Sequence, residues 1–196
     1  MPSSIRSAPA PGSAAVARFR DRYAAMSRRK RRSDILFLLG FAVALAGFLF
    51  DRLSKWWLLD VYAITDRGRV EITPFFDLVM AWNKGVSYGL FSAETWVGRA
   101  ILIGFAVLVT VALGLWLARV GRLLMAVSLG LIIGGAVGNV YDRVKFGAVA
   151  DFFSFHIDDV FYWYIFNIAD VWIVLGVGLM LYDALFPQSG ADKAKE

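Results

Sequence analysis

The sequence is poor in the residues that build disulfides and metal centres: its 196 residues include no cysteine and a single histidine, His156. The absence of cysteine excludes disulfides, thiolate metal sites and a cysteine nucleophile. A metal site needs several ligands around one ion, so a lone histidine is a weak candidate, and we expect His156 to be solvated or interfacial. The sequence therefore predicts neither a metal nor a cofactor.

Charged residues are also scarce. They make up 19% of the chain, hydrophobic residues make up 59%, and the mean hydropathy is +0.60. These values lie far from the balance of a soluble domain and indicate a membrane protein of one domain. The 18 glycines and 16 phenylalanines favour a core of helices packed against one another and against lipid.

Four apolar segments are long enough to cross a bilayer as helices, since a span needs about 20 mostly apolar residues. They cover residues 35–59, 100–118, 123–141 and 160–182, and the first reaches this length only if its polar end is included. We therefore predict an all-α membrane protein. Its four-helix domain would cover residues 34–186, with an outer loop at 60–99 and a tail at 187–196.

The distribution of basic residues predicts how these spans are oriented. The first 34 residues carry nine basic residues against two acidic ones, and Arg119 and Arg122 flank the turn between spans two and three. Counted from the polar end of the first span, residues 51–99 are balanced, with six residues of each sign. Because basic residues are retained on the cytoplasmic side, both termini are predicted to be cytoplasmic and both longer loops to lie outside.

Residues 1–33 form a basic extension that is rich in Ser, Ala, Pro and Arg and is predicted to be disordered. The segment 44–46 resembles a signal-peptide cleavage site, but the apolar run continues through Phe50, which favours an uncleaved anchor. The basic run 28–32 is interpreted as a topology signal that also attracts anionic lipid. We expect no nucleic-acid partner.

The first outer loop carries strand patterns. Residues 70–73 alternate in polarity, and residues 75–82 form an apolar stretch rich in strand-forming residues, so short strands at the membrane surface are predicted. The segment 83–91 then combines two glycines with polar and aromatic residues and reads as a turn. The outer face is therefore expected to hold a small extramembrane β-sheet and loop.

The third span carries Gly130, Gly134 and Gly138 at four-residue spacing, which leaves one helix face nearly bare for close approach of a neighbour. Packing does not explain the polar residues at its outer end. There Asn139 and Asp142, at i and i+3, share a face.

Two aspartates, Asp151 and Asp170, carry the strongest indication of function, because each lies in an otherwise apolar setting. A carboxylate within the bilayer costs about 3 kcal/mol even on lenient insertion scales. Asp170 is expected to lie well inside the fourth helix, about 15 Å from its start if that helix begins near Val160. The third helix ends and the fourth begins on the outer side, where Asp151 can meet Asp170.

Two carboxyl groups that share a site can perform hydrolysis without a metal. Like-charge repulsion raises the pKa of one of them, so that one stays protonated near neutral pH while the other is ionised. The ionised group takes a proton from an attacking water, and its partner donates a hydrogen bond to the scissile carbonyl. The pair therefore predicts an aspartyl protease dyad.

Five blocks of residues occur in one order along residues 34–186: 51–55 (DRLSK), 83–91 (NKGVSYGLF), 134–143 (GGAVGNVYDR), 149–152 (VADF) and 166–170 (FNIAD). In these blocks the chain resembles the bacterial lipoprotein signal peptidases, also called signal peptidase II. The resemblance implies Asp151 and Asp170 as the catalytic dyad. It also implies a set of residues that line or support the site: Asn83, Gly85, Asn139, Asp142, Arg143, Asn167, Asp51 and Lys55.

The resemblance further implies a substrate and a location. The substrate would be a prolipoprotein whose cysteine already bears a diacylglyceryl group, cut just before that cysteine. The enzyme would be a monomer in the bacterial inner membrane, with its site near the outer face, where a doubly acylated residue is held. Asp51 and Lys55, at i and i+4, are expected to pair in a structural role.

Three other classes of function remain open from the residues. Intramembrane Asp and Asn also mark ion paths, so a small proton-coupled transporter is the main alternative, although no internal repeat is evident. A Ser-Lys hydrolase would use Ser54 or Ser87 with Lys55, but Ser54 and Lys55 are adjacent and do not face each other on a helix. A purely structural scaffold would not explain why a carboxylate, Asp170, lies within an apolar helix.

Overall fold

The computed structural model describes residues 13–85, 95–157 and 160–186. The predicted tail at 187–196 lies outside the described residues, as do residues 86–91 of the predicted turn and Ser87 with them. The first twelve residues of the predicted disordered extension are likewise outside.

Four long helices dominate the fold, and each is long and apolar enough to cross a membrane. In chain order the helices are α1 (Ser13–Trp56), which continues into a π-helical turn (Trp57–Val61), the short α2 (Ile64–Arg67), α3 (Trp96–Leu117), α4 (Leu123–Phe146) and α5 (Ile168–Leu185). The prediction of four membrane helices is confirmed.

A four-stranded antiparallel sheet lies at one end of the helices, in the order β1 (Val70–Thr73), β2 (Phe76–Asn83), β3 (Val149–Ile157) and β4 (Phe161–Tyr162). The strands predicted at 70–73 and 75–82 are therefore confirmed. The central pair joins β2 from the long loop to β3, which follows α4 after a left-handed Gly147. This pairing brings two distant parts of the chain to one place.

Helix α4 occupies the centre of the bundle. In the apolar stretch of α4, 56% of the residues are buried by other parts of the protein, against 6% in α3. Helix α4 is therefore surrounded by protein, whereas α3 faces lipid. A side-chain carbon at Gly134 would lie 2.5 Å from the carbonyl oxygen of Ala44, and one at Gly135 would lie 2.4 Å from that of Ala169. These glycines let the backbones of α1 and α5 approach α4 closely. The four-residue spacing that includes Gly134 predicts one such contact, and it is made with α1.

Two boundaries differ from the sequence prediction by more than five residues. The segment 160–167 holds β4 and extended backbone, so the fourth helix begins at Ile168 rather than near Val160. Its aromatic residues are apolar enough to extend a hydropathy pattern, although they pair as a strand. At the other end α1 begins at Ser13, so residues 13–33, predicted to be disordered, are helical.

Candidate active site

Asp151 is placed by strand β3, and its side chain is buried, with 1% of the residue exposed. Across the sheet, β2 pairs Ala81 with Asp151 and Asn83 with Val149. Asn83 therefore lies on the same face as Asp151, one diagonal position away, within reach of a side-chain contact. Its Nδ2 donates to Oδ2 of Asp151 at 3.0 Å.

Asp170 is placed by the first turn of α5. The Asn167 side chain accepts from the backbone N–H of Asp170 at 3.1 Å, and the Asp170 carboxylate accepts from the backbone N–H of Asn167 at 3.1 Å. This reciprocal capping box fixes both side chains, and the helix N-terminus favours a negative charge there. The expectation that Asp170 lies about 15 Å along the helix is wrong, because α5 begins two residues before it.

Strand β3 also holds the chain that leads into α5. The backbone N–H groups of Phe152 and Phe153 donate to the Phe166 carbonyl at 3.0 and 2.9 Å, and the N–H of Phe166 donates back to Phe153 at 3.0 Å. Asn167, the next residue, is thereby held beside Asp151. The short distance between the two aspartate motifs thus follows from backbone pairing.

Two neutral amides connect the two carboxylates. The Nδ2 of Asn167 donates to Oδ1 of Asp151 at 2.6 Å and to Oδ1 of Asn139 at 3.2 Å. The Nδ2 of Asn139 in turn donates to Oδ1 of Asp170 at 2.8 Å. The structure therefore brings Asp151 and Asp170 into one hydrogen-bonded group with three asparagines, Asn83, Asn139 and Asn167.

The pKa of Asp151 is raised from 3.8 to about 6, mainly because burial penalises its charged form. The negative charge of Asp170 raises it further, whereas the hydrogen bonds from Asn167 and Asn83 and the charge of Lys55 act in the opposite direction. Asp151 thus exchanges its proton close to neutral pH, where a hydrolytic acid or base is most effective.

Arg143 supplies a positive charge at the edge of this group. Its Nη1 donates to the backbone carbonyl of Asn139 at 3.3 Å, and its guanidinium attracts both Asp170 and Asp151. Its buried Nε has no hydrogen-bond partner among the described residues. Arg143 therefore acts on the aspartates by charge rather than by a direct hydrogen bond.

A second group of charges lies beside the first. Asp51 and Asp142 are fully buried, and between them Lys55 contacts the two carboxylates at 3.0 and 2.6 Å. Arg52 contacts the same pair, at 2.6 Å each. We call these four residues the ion cluster. The expected i, i+4 pair of Asp51 with Lys55 is present, and Asp142 belongs here rather than with Asn139.

The ion cluster also holds the backbone of the site. Asp51 accepts from the N–H of Ala169 at 3.2 Å, next to Asp170, and Asp142 accepts from the N–H of Ala150 at 3.3 Å, next to Asp151. Asp51 therefore fixes the backbone directly before Asp170, and Asp142 fixes the backbone directly before Asp151. Sequence reasoning missed Arg52, although a second cation directly after Asp51 at the end of an apolar helix was a readable signal.

The remaining predicted residues have simpler places. Gly85 has a φ of +99°, and its N–H donates to Oδ1 of Asn83 at 2.9 Å, which orients that amide. The Ser54 hydroxyl donates to the Asp51 carbonyl at 2.9 Å. Because Lys55 is bound to two carboxylates, it is not available as a base for Ser54, which argues against the Ser-Lys alternative.

His156 lies apart from both groups. Its side chain is 15% exposed and its Nε2 is 3.1 Å from Oδ2 of Asp77, so it is partly buried at the sheet rather than fully solvated, and the alternative of an interfacial position stays a prediction. The neighbouring Arg69 contacts the same carboxylate at 3.2 Å.

Comparison with known proteins shows which family this chain is similar to. Residues 43–186 match the profile of the family described as "Signal peptidase (SPase) II". A lipoprotein signal peptidase of Nitrobacter hamburgensis is 48% identical over 158 residues, which cover 79% of this chain and 96% of that protein. A lipoprotein signal peptidase of Rhodopseudomonas palustris is 45% identical over 150 residues, covering 75% and 92%.

A solved structure gives a similar result for the fold. A structure described as a bacterial membrane enzyme, obtained by the in meso method at 2.3 Å resolution, is similar with a TM-score of 0.64 and 28% identity. The similarity covers 81% of this chain and 93% of that one.

Proposed function

This chain belongs to the signal peptidase II family, and from that membership we propose that it removes the signal peptide from lipoprotein precursors with Asp151 and Asp170 as an aspartyl dyad. The observation that supports the proposal is the link between Asp151 and Asp170 through asparagine side chains, and we call these two aspartates the amide-bridged pair. Two carboxylates that are joined through Asn167 and Asn139, and that have no cation hydrogen-bonded to either of them among the described residues, form a group suited to sharing one proton.

The chemistry uses the two aspartates in different roles. The ionised carboxylate removes a proton from a water as that water attacks the peptide carbonyl. The protonated carboxyl donates a hydrogen bond to the carbonyl oxygen, and the proton passes to the leaving amine as the peptide bond breaks. The value of about 6 for the pKa of Asp151 supports this division, because Asp151 can then gain or lose its proton close to neutral pH.

The asparagines keep this geometry without removing the proton. Asn83 and Asn167 hold the two oxygens of Asp151, and Asn139 holds Asp170. A neutral amide orients a carboxylate without the strong preference for the ionised form that a bound cation would impose. Arg143 adds a positive charge nearby, which would stabilise the negative charge that develops on the attacked carbonyl.

The substrate we propose is a precursor whose cysteine carries a diacylglyceryl group, cut just before that cysteine. The pair lies at the end of the bundle that carries the sheet. A doubly acylated residue is held at a membrane surface, so the proposed substrate would lie at the same depth as the pair. We place this end at the outer face of the bacterial inner membrane, with both termini cytoplasmic and a monomer as the working unit.

The proposal is tested by incubating the purified protein in detergent with matched lipidated and unlipidated precursors and weighing the products. We expect one cut, directly before the lipidated cysteine, and a much slower reaction on the unlipidated precursor. Equal rates on both precursors would exclude a site that seats acyl chains. A serine-directed inhibitor serves as a control and should leave the rate unchanged, because no serine is part of the mechanism.

A further inference from the structure

The helix α1 extends well beyond the bundle at its N-terminal end. The Ser33 hydroxyl donates to the carbonyl of Ala118 at 3.4 Å, and Leu36 packs against Leu117 and Ala126. Ser33 therefore lies level with the end of α3. We call residues 13–33 the basic arm, and at 1.5 Å per residue it reaches about 30 Å past the bundle.

One side of the basic arm is apolar and uncovered. Val16, Phe19, Tyr23 and Met26 are spaced by three, four and three residues, which places them along one face of a helix. Their exposed fractions are 64%, 73%, 69% and 70%. Four large apolar side chains in a continuous stripe are more than scattered exposure accounts for, so the stripe requires a cover.

The charges of the basic arm are arranged around this stripe. Residues 13–32 contain one acid, Asp21, which faces away from the stripe, and Arg20 and Arg22 border the stripe on either side. The eight basic residues of this segment, less one acid, give a net charge of +7; they are Arg18, Arg20, Arg22, Arg28, Arg29, Lys30, Arg31 and Arg32.

We propose that the basic arm is an interfacial helix that binds the anionic lipid leaflet next to the N-terminal end of the bundle. An apolar stripe bordered by arginines suits a lipid surface, because the stripe enters the acyl boundary while the long basic side chains reach the phosphates. A second copy of the arm is a poor cover, since each copy carries a net charge of +7 and the two would repel each other. An anionic surface has the complementary charge.

The arm and the first span form one helix, so contact with the leaflet requires the helix to turn where the arm leaves the bundle. The five consecutive basic residues 28–32 occupy that position. Like charges at i, i+3 and i+4 weaken a helix in water, and anionic headgroups would neutralise them. The turn is therefore expected within or next to this run.

The basic arm is separate from the peptidase unit. The family match begins at residue 43, and the Nitrobacter hamburgensis protein is covered over 96% of its length by only 79% of this chain. The inference does not rest on the proposed function, because it concerns a segment that lies at the opposite end of α1 from the ion cluster.

The chain has no cysteine, so a single cysteine introduced anywhere carries a spin label at one known position. We would label Phe19→Cys and Met26→Cys on the stripe, and Ala25→Cys as the matched control. Ala25 is exposed and adjacent to Met26, so a straight arm holds both labels equally far from the bilayer, whereas a leaflet-bound arm separates them. The measurement is the ratio of collision rates with oxygen, which enters lipid, and with a water-soluble nickel complex.

In vesicles that contain phosphatidylglycerol, the ratio at Phe19→Cys and Met26→Cys should exceed that at Ala25→Cys severalfold, because the stripe enters the acyl boundary while Ala25 lies on another face of the helix. In phosphatidylcholine alone, or at high salt, the difference should shrink, because the attraction is electrostatic. Replacing Arg18, Arg20 and Arg22 by Gln should shrink the difference in the same direction, but by less than removing the anionic lipid, because the five basic residues 28–32 remain.

Equal nickel accessibility at all three positions in phosphatidylglycerol vesicles would overturn the proposal, because the arm would then project into water. Spin–spin broadening at Phe19→Cys would also overturn it, since a second copy would then cover the stripe. The vesicles are symmetric and no substrate is present, so the result depends neither on the orientation of the chain nor on peptidase activity. Failure here is therefore distinguishable from failure of the proposed function.

Discussion

Two pairs of carboxylates lie at the same end of the bundle, and they differ in the groups that hold them. Asp51 and Asp142 are bound by two cations, with four contacts of 3.0 Å or less. Asp151 and Asp170 are bound by asparagine side chains and backbone N–H groups. The same residue type is therefore placed in two different electrostatic settings at one end of the bundle.

The difference explains why one pair suits catalysis and the other suits structure. A carboxylate held between two cations has its oxygens occupied by ion pairs, so it is not free to contact a water or a substrate carbonyl. A pair of carboxylates joined by neutral amides can hold one proton between them and pass it on. The ion cluster also binds the backbone N–H groups of Ala150 and Ala169, so its role is to position the residues of the amide-bridged pair.

The strongest test of this comparison is to neutralise the amide-bridged pair. Asp151→Asn and Asp170→Asn should each lower the cleavage rate by about 10³-fold or more, because each removes an acid or base from the reaction. Both variants should remain folded and inserted. The rate is measured on lipidated precursor by mass spectrometry, with the exposed Asp66→Asn as a control that retains full rate.

Neutralising the ion cluster should act first on stability. Asp142→Asn leaves Arg52 and Lys55 without one of their two buried partners, and breaking a buried pair costs about 3 to 5 kcal/mol. We expect a clear fall in the thermal midpoint in detergent, with the loss of activity following the loss of folded protein. A variant that keeps the wild-type midpoint but loses all activity would place Asp142 in the chemistry and erase the distinction between the pairs.

The pH dependence of stability should carry the signature of Asp151. Its pKa is about 6 in the folded state and 3.8 ordinarily, so the folded state keeps a proton that the unfolded state releases between these values. The stability that this group contributes is therefore fully present below pH 4 and is lost as the pH rises through 6, a change of about 3 kcal/mol.

The measurement is the difference in thermal midpoint between wild type and Asp151→Asn across this range, since subtraction removes the contributions of other groups. The difference should turn in favour of the variant as the pH rises. A difference that does not change with pH would show that the Asp151 carboxyl is not held in its protonated form.

The smallest effect is expected from the segment that precedes the matched family region in sequence. Removal of residues 2–20 should leave turnover in detergent unchanged, because these residues precede the matched family region by more than twenty positions. A large loss of turnover would show that the extension contributes to the site as well as to membrane contact.

The spans could be predicted from the sequence because hydropathy is a local property, but their boundaries depend on pairing partners. The aromatic run before Asn167 is apolar enough to look like a helix, yet it pairs with β3. The boundary was readable in another way, since Asn167 followed three residues later by Asp170 is a capping signal that places the helix start between them.

The sequence predicts that Asp151 and Asp170 meet, but it does not predict which polar residues contact them and which form the ion cluster. Asn139 and Asp142 lie three residues apart in α4, and the sequence predicts that both line or support the site without assigning them to different partners. In the structure Asn139 reaches Asp170, while Asp142 reaches Arg52, which is 90 residues away in sequence. Long-range ion pairs of this kind follow from how the helices pack, and a single sequence contains no pattern that specifies them.

The most direct test of the central claim, that Asp151 and Asp170 work as one unit, is the cleavage rate of the double variant Asp151→Asn/Asp170→Asn beside the two single variants on lipidated precursor. If the aspartates form a dyad, removing the second costs little more than removing the first, so all three variants should share nearly the same residual rate. Losses that multiply in the double variant, or a single variant that retains the wild-type rate, would contradict the account.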